Sequence, residues 1–340
     1  MSSQPQAAWT GGDHRETTEQ ELLRRLLPAV PAADSAVIGT GDDAALLSLP
    51  GGTVLSVDTL VEGPDFRSDW STPEDLGWKA AAVNLADIAA MGAVPRALLV
   101  ALVLPVGVPA DWANRFLAGM GEYLASRAPG CGIVGGDIAS GEVLTIAVTA
   151  IGEPAGSPLV RRNGARPGDT IAVAGTLGRA AAGLRHLMAG RASATELRER
   201  YPEVVTAQLR PDPPLQAGVA AARAGATAMM DVSDGLSTDL ARLAESSGVQ
   251  AQLDPRTMES WAAQLASISD FELDHARQCV LHGGEDHAML ATFRPGAVLP
   301  PGFQPIGVIA EGAGVCLATE PLRPAGWDSL WGSSTGISGS

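Results

Sequence analysis

Positive charge is scarce in this 340-residue chain: 23 Lys and Arg stand against 38 Asp and Glu, giving a formal net charge of −15. Nucleic acid and anionic membranes are bound by basic surfaces, so the charge balance argues against both as partners. Aromatic residues make up only 4% of the chain although 46% of it is hydrophobic, so its cores must be built mainly from Ala, Val, Leu and Ile. The three cysteines, Cys131, Cys279 and Cys316, are widely spaced and form no Cys-x-x-Cys pair. That argues against a zinc site or a disulfide framework and favours buried free thiols. The longest apolar run, 97–108, is too short to span a bilayer and reads as a buried strand. Asp13, Glu16, Glu19 and Glu21 near the start are unlike a signal peptide. The expectation is a soluble, cytoplasmic protein.

Several catalytic motifs are also missing. There is no P-loop, no Rossmann Gly-x-Gly-x-x-Gly, no protein-kinase catalytic loop and no nucleophile elbow. What is present is a series of short acid-bearing clusters, most of them with Gly beside the acid. They are Gly41-Asp42-Asp43, Ser56-Val57-Asp58-Thr59, Asn84-Leu85-Ala86-Asp87, Gly135-Gly136-Asp137, Asp231-Val232-Ser233-Asp234-Gly235 and Gly283-Gly284-Glu285-Asp286. Gly beside Asp permits sharp turns and a close approach of backbone to ligand. Carboxylates in such turns are hard oxygen ligands suited to Mg²⁺. One cluster is an ordinary turn, but six suggest a multi-metal site, and such sites commonly handle phosphates. An acidic site meets a polyphosphate only with cations between them.

The chain is long enough for two domains. The Pro- and Gly-rich passage 152–168 is the best boundary, giving domains over 1–153 and 154–340. Thr72-Pro73-Glu74-Asp75 is a strong helix start, with the helix running to about Met91 and stopping at Gly92. A short helix is expected over 18–27, and others over 109–127, 177–188, 195–208, 212–224 and 236–247. Strands are expected over 53–58, 96–104, 143–151, 170–174, 227–232, 287–293 and 303–309. This intermingling of strands and helices gives an α/β or α+β class.

The segment following Asp231 should leave a strand, turn at Ser233-Asp234-Gly235 and enter a helix. Ser233 or Asp234 also suits a plain helix cap, but a cap does not account for Asp231, Asp234 and Asp239 together. A helix start flanked by carboxylates can hold a phosphate and its metal. Asn84 and Asp87 share a face of a largely buried helix. Asp87 there needs a partner, either a metal or a donor such as Lys79. Gly135-Gly136-Asp137 reads either as a hairpin turn or as backbone that approaches a phosphate, with Asp137 on metal. Asp42 and Asp43 could be a simple turn. Arg161, Arg162 and Arg166 form either a phosphate-binding cluster or a solvated loop. His282 and His287 flank the Gly-Gly-Glu-Asp turn and read as structural.

Taken together, the motifs resemble the thiamine-monophosphate kinases, in the superfamily that includes aminoimidazole ribonucleotide synthetase. The resemblance runs from about residue 39 to residue 327. It is carried by Gly41-Asp42-Asp43-Ala44, Asp58-Thr59-Leu60-Val61-Glu62-Gly63, the run 79–93, Gly135-Gly136-Asp137, Asp231-Val232-Ser233-Asp234-Gly235-Leu236, Gly283-Gly284-Glu285-Asp286 and Gly326-Trp327-Asp328. It implies a two-domain α/β architecture like aminoimidazole ribonucleotide synthetase, with N-terminal domains pairing in a homodimer and ATP and several Mg²⁺ between the domains. The implied reaction is direct transfer of the ATP γ-phosphoryl group to thiamine monophosphate, giving thiamine diphosphate without a catalytic acid, base or phospho-enzyme. The implied metal positions are Asp43, Ser56, Val57, Asp58, Asp87, Asp137, Asp231 and Asp234, with Val57 able to offer only its carbonyl. Gly136, Asp137, Arg162 and Ser233 match ATP contacts. Asp65, Glu285 and Trp327 match substrate contacts. The chain departs from the family at Asp65, where the family has His, at His287, where it has Tyr, and at Ala288, where it has Glu.

Overall fold

A computed structural model of the chain describes residues 31–38, 46–156 and 158–326. The helix expected over 18–27, Asp42 and Asp43, and Trp327 lie outside the described residues. The chain divides into two compact units. The first comprises Met1–Asn84 and Pro95–Glu153, the second Leu85–Val94 and Pro154–Ser340.

The first unit holds a small antiparallel pair, β1 (Ala36–Ile38) and β2 (Leu46–Leu47), and a four-stranded sheet. The sheet strands are β3 (Val54–Val61), β4 (Ala93–Leu104, whose first two residues count with the second unit), β5 (Gly132–Ser140) and β6 (Thr145–Pro154), in the order β3-β6-β4-β5. β3 and β6 are antiparallel and β4 and β5 parallel. Residues alternate between the faces of the sheet. Leu98, Val100, Leu102, Ile146, Val148 and Ala150 are buried on one face. Leu55, Val57, Leu99 and Ala101 are exposed on the other. Of the run 97–108, the part up to Leu104 is thus strand with one open face, not buried on both sides.

Helix α1 (Pro73–Ala90) begins where Thr72 and Asp75 cap each other: Thr72 Oγ1 accepts from the Asp75 amide and Asp75 Oδ2 accepts from the Thr72 amide, both at 3.2 Å. It is buried almost all round, as its Ala-rich sequence requires. It stops at Gly92, at φ 72°. Helix α2 (Trp112–Arg127) crosses α1 backbone to backbone. A Cβ at Gly77 would lie 1.8 Å from the Phe116 carbonyl oxygen, and one at Gly119 would lie 2.0 Å from that of Glu74.

The second unit is built on a seven-stranded mixed sheet ordered β13-β12-β9-β11-β7-β10-β8. Its strands are β7 (Thr170–Ala174), β8 (Ala228–Val232), β9 (Gln250–Leu253), β10 (Ala288–Phe293), β11 (Phe303–Ala310), β12 (Gly314–Leu317) and β13 (Glu320–Pro321). The central β7 and β10 are almost fully buried. The helices that follow in this unit are α3 (Arg179–Met188), α4 (Ala194–Arg200), α5 (Pro202–Leu209), α6 (Leu215–Arg223), α7 (Leu236–Ser247), α8 (Pro255–Ser269) and α9 (Leu273–His282). The single helix expected over 195–208 is two, because Pro202 opens a new helix at its first position. Helices α8 and α9 are additions to the expected set. The first has a local signal at Asp254-Pro255, where the Asp254 carboxylate accepts from the amides of Arg256 and Thr257. Cys131, Cys279 and Cys316 are free and buried.

Candidate functional site

In the first unit, β3 carries Ser56, Val57 and Asp58. Val57 is 62% exposed, on the open face. Asp58 lies beside the buried Val148 on the other face, and its amide donates to Asn84 Oδ1 at 3.0 Å. The Asn84 Nδ2 donates in turn to the Ala80 carbonyl at 2.9 Å, so the helix residue is spent on fastening α1 to the edge strand. Gly135-Gly136-Asp137 is neither a hairpin turn nor a loop. It lies inside β5, just past a register shift opposite Leu98 and Leu99, an irregularity that re-aims the following side chains. Only glycine fits at Gly136, where a Cβ would sit 2.0 Å from the Val100 carbonyl oxygen. Asp137 is exposed beside Ala101. Asp58 and Asp137 therefore occupy opposite edges and opposite faces of the sheet, three strand spacings or roughly 14 Å apart along it. Asp65 closes its own turn: its Oδ2 accepts from the Val61 amide at 2.8 Å, and its amide donates to the Val61 carbonyl at 3.1 Å.

In the second unit two signature segments are bound to each other. β8 delivers Asp231 to its C-terminal end and β10 begins alongside. The Glu285 amide donates to the Ser233 carbonyl at 2.8 Å, and the His287 amide to the Val232 carbonyl at 3.0 Å. Two glycines allow this contact: a Cβ on Gly284 would lie 2.2 Å from the Ser233 carbonyl oxygen, and one on Gly235 2.4 Å from that of His282. Neither Ser233 nor Asp234 caps α7. Asp239, inside the first turn, accepts from the Asp234 and Gly235 amides at 2.9 and 3.0 Å. Arg242 bridges Asp234 and Asp239. The chain leading to residue 327 docks on the same turn, the Gly326 amide donating to Thr238 Oγ1 at 3.0 Å.

His287, read from the sequence as structural, is buried against Asp231. Its Nδ1 lies 2.9 Å from Asp231 Oδ2, and both side chains are buried. Burial alone would depress its pKa, but the hydrogen bond and charge of Asp231, followed by the charges of Glu285 and Asp87, outweigh burial and raise it. Asp239 is pushed up to about 7, by burial first and then by the charges of Asp234 and Asp231. Asp286 is adjacent in sequence but serves the start of α3 instead, accepting from Thr176 Oγ1 at 2.8 Å and from the Arg179 amide at 3.1 Å. Glu285 accepts from Gln208 Nε2 at 2.6 Å. Arg162 is exposed beside edge strand β8, its carbonyl held by Ser247 Oγ at 2.9 Å.

The structure thus gathers Asp87, Asp231, Ser233, Asp234 and Glu285 in one unit, with His287 influenced by three of their carboxylates. Ser56, Asp58, Asp65, Gly136 and Asp137 lie in the other. Among the described residues no three Asp, Glu, His or Cys side chains form a ready-made cation cage. A cavity of about 460 Å³ beside Thr176, Arg179, Trp261 and Gln264 includes none of the expected site residues.

Residues 41–153 match the AIR synthase related protein, N-terminal domain, and residues 166–300 its C-terminal domain. A thiamine-monophosphate kinase of Mycobacterium tuberculosis is 41% identical over 333 residues, spanning 94% of this chain and 97% of that protein. The solved thiamine-monophosphate kinase of Stenotrophomonas maltophilia K279a matches with a TM-score of 0.75 at 35% identity, over 89% of this chain and 96% of that one. AaThiL complexed with AMPPCP and TMP matches with a TM-score of 0.71 at 29% identity, over 92% and 97% of the two chains. With both domain types in order and such relatives along nearly its whole length, the chain belongs to the thiamine-monophosphate kinase family.

Proposed function

We propose that this chain transfers the γ-phosphoryl group of ATP directly to the phosphate of thiamine monophosphate, giving thiamine diphosphate and ADP, with several Mg²⁺ ions. The observation that carries the reading is the Asp231–Asp234 turn pinned against the 283–287 segment, in a family whose relatives include AaThiL complexed with AMPPCP and TMP. The donor set fits magnesium. These are hard oxygen ligands; beside them burial, followed by the charges of Asp234 and Asp231, pushes Asp239 up to about 7, and the Arg242 guanidinium bridges Asp234 and Asp239.

Asp43, Ser56, Asp58, Asp87, Asp137, Asp231 and Asp234 are the proposed magnesium-binding side chains, with the Val57 carbonyl. When bound, magnesium would neutralise phosphate charge and align donor with acceptor. Gly136 offers backbone that can approach a phosphate closely, while Arg162, Ser233 and Asp137 contact the nucleotide. Asp65, Glu285 and Trp327 hold the acceptor. An acceptor phosphate is already a nucleophile, so no side chain is needed as a base.

Residues 1–153 supply ATP- and magnesium-binding groups, and residues 154–340 supply the remainder. The chain acts as a homodimer through the open face of the four-stranded sheet, a reading supported by the 65%, 62% and 37% exposure of Leu55, Val57 and Leu99. A cytoplasmic location accords with the reaction, and no helix among the described residues is long and apolar enough to cross a membrane.

Purified protein given ATP, MgCl₂ and thiamine monophosphate should form thiamine diphosphate by chromatography and stop on addition of EDTA. Bound ATP without this product would sink the proposal. A second reading, a different phosphate acceptor, draws on Asp65, an acid where the resembling enzymes have His. ADP release with another phosphate monoester, and none with thiamine monophosphate, would select it.

A further inference from the structure

We infer that His287 is a positioning residue: its imidazole fixes the carboxylate of Asp231 for cation binding. The inference rests on the proposal that Asp231 is a magnesium ligand. Two observations carry it. First, Nδ1 of His287 and Oδ2 of Asp231 are 2.9 Å apart, with side chains only 8% and 6% exposed. An ionised carboxylate can only accept, so Nδ1 carries the proton. The bond orients the carboxylate while using one of its several lone-pair sites.

Second, the backbone is distorted in the segment that presents the ring. His287 sits at φ 51°, a left-handed conformation uncommon for any residue other than glycine. The conformation is held by the main-chain bonds from Glu285 to Ser233 and from His287 to Val232, and by the close approach of Gly284 to Ser233. These contacts bring the start of β10 against the end of β8, where the ring meets Asp231. A hydrogen-bonded neighbour that orients a metal-binding carboxylate commonly governs affinity as strongly as a ligand does.

The test compares His287→Asn, His287→Gly and Asp231→Asn with the unaltered full-length protein. Asn and Gly both tolerate a left-handed backbone. Asn can place its amide nitrogen near the position of Nδ1, whereas Gly removes the donor. Binding of Mn²⁺ in the presence of AMPPCP is followed by the electron paramagnetic resonance of free Mn²⁺, with thermal midpoints measured in parallel. Asp231→Asn should weaken Mn²⁺ binding. His287→Gly should weaken it by about 10- to 100-fold, and His287→Asn should recover most of that loss. Mn²⁺ binding by His287→Gly equal to the unaltered protein, with Asp231→Asn impaired, overturns the inference and leaves the magnesium proposal standing. So does a folded His287→Asn no better than His287→Gly. Unchanged binding by Asp231→Asn overturns the magnesium proposal itself.

Discussion

Glu285 and His287 both hold left-handed backbone, at φ 68° and 51°, with Asp286 between them. Each such residue costs about 1–2 kcal/mol relative to ordinary backbone. The chain bears this cost in the segment that meets the Asp231–Gly235 turn, a pattern common at functional sites. Glu285→Gly should relieve about 1 kcal/mol of strain while losing the 2.6 Å bond from Gln208. Denaturant melts should show stability within about 1 kcal/mol of the unaltered protein, and steady-state assays an activity lower by about 10²-fold. Full activity in a folded Glu285→Gly would remove Glu285 from the substrate site.

Asp286 gives the fold a pH dependence of definite sign. Burial pushes its pKa from 3.8 up to about 6, against the opposing hydrogen bond of Thr176 and those of the α3 amides. Between these values the folded state keeps a proton that the unfolded chain has released. Its contribution therefore falls as pH rises from about 4 to 6, by on the order of 2–3 kcal/mol, and is flat above. Urea midpoints across this range should show the decline, and Asp286→Asn should flatten it. Parallel curves for the two proteins would contradict this assignment.

Much of this is legible in the sequence where local chemistry and tertiary context agree. Thr72-Pro73-Glu74-Asp75 marks the start of α1 because the cap is written in adjacent residues. Strand β7 and helix α7 appear at their expected positions. Gly135-Gly136-Asp137 resembles a turn because paired glycines usually form one. It stays in a strand because Gly136 must pass close to the Val100 carbonyl of the neighbouring strand, which no local pattern reveals. Asp231 and the Gly-Gly-Glu-Asp motif can be singled out separately. Their pairing depends on the β8–β10 register, across more than fifty residues of sequence, so nothing local to His287 signals its role.

Burial raises the Cys131 thiol to about 12 and the Cys279 thiol to about 11. Thiolate is the reactive form. A disulfide reagent at mildly alkaline pH should leave both unmodified in the folded protein, and guanidinium should release all three free thiols. Rapid labelling of Cys131 without denaturant would show that the first unit opens there.

The crossing of α1 and α2 leaves no room for a methyl group at Gly119, where a Cβ would lie 2.0 Å from the Glu74 carbonyl oxygen. Gly119→Ala should destabilise the protein by about 3 kcal/mol, at the upper end for overpacking because rigid backbone rather than a side chain must move. An unchanged thermal midpoint would contradict the crossing.

Direct transfer is tested most directly by incubating the protein with γ-³²P-ATP, MgCl₂ and thiamine monophosphate, then separating thiamine diphosphate, inorganic phosphate and protein. The account predicts radiolabel in thiamine diphosphate, dependent on magnesium, with none retained on the protein in a quenched single turnover. Label that passes through a phospho-protein, or only inorganic phosphate as product, would contradict it.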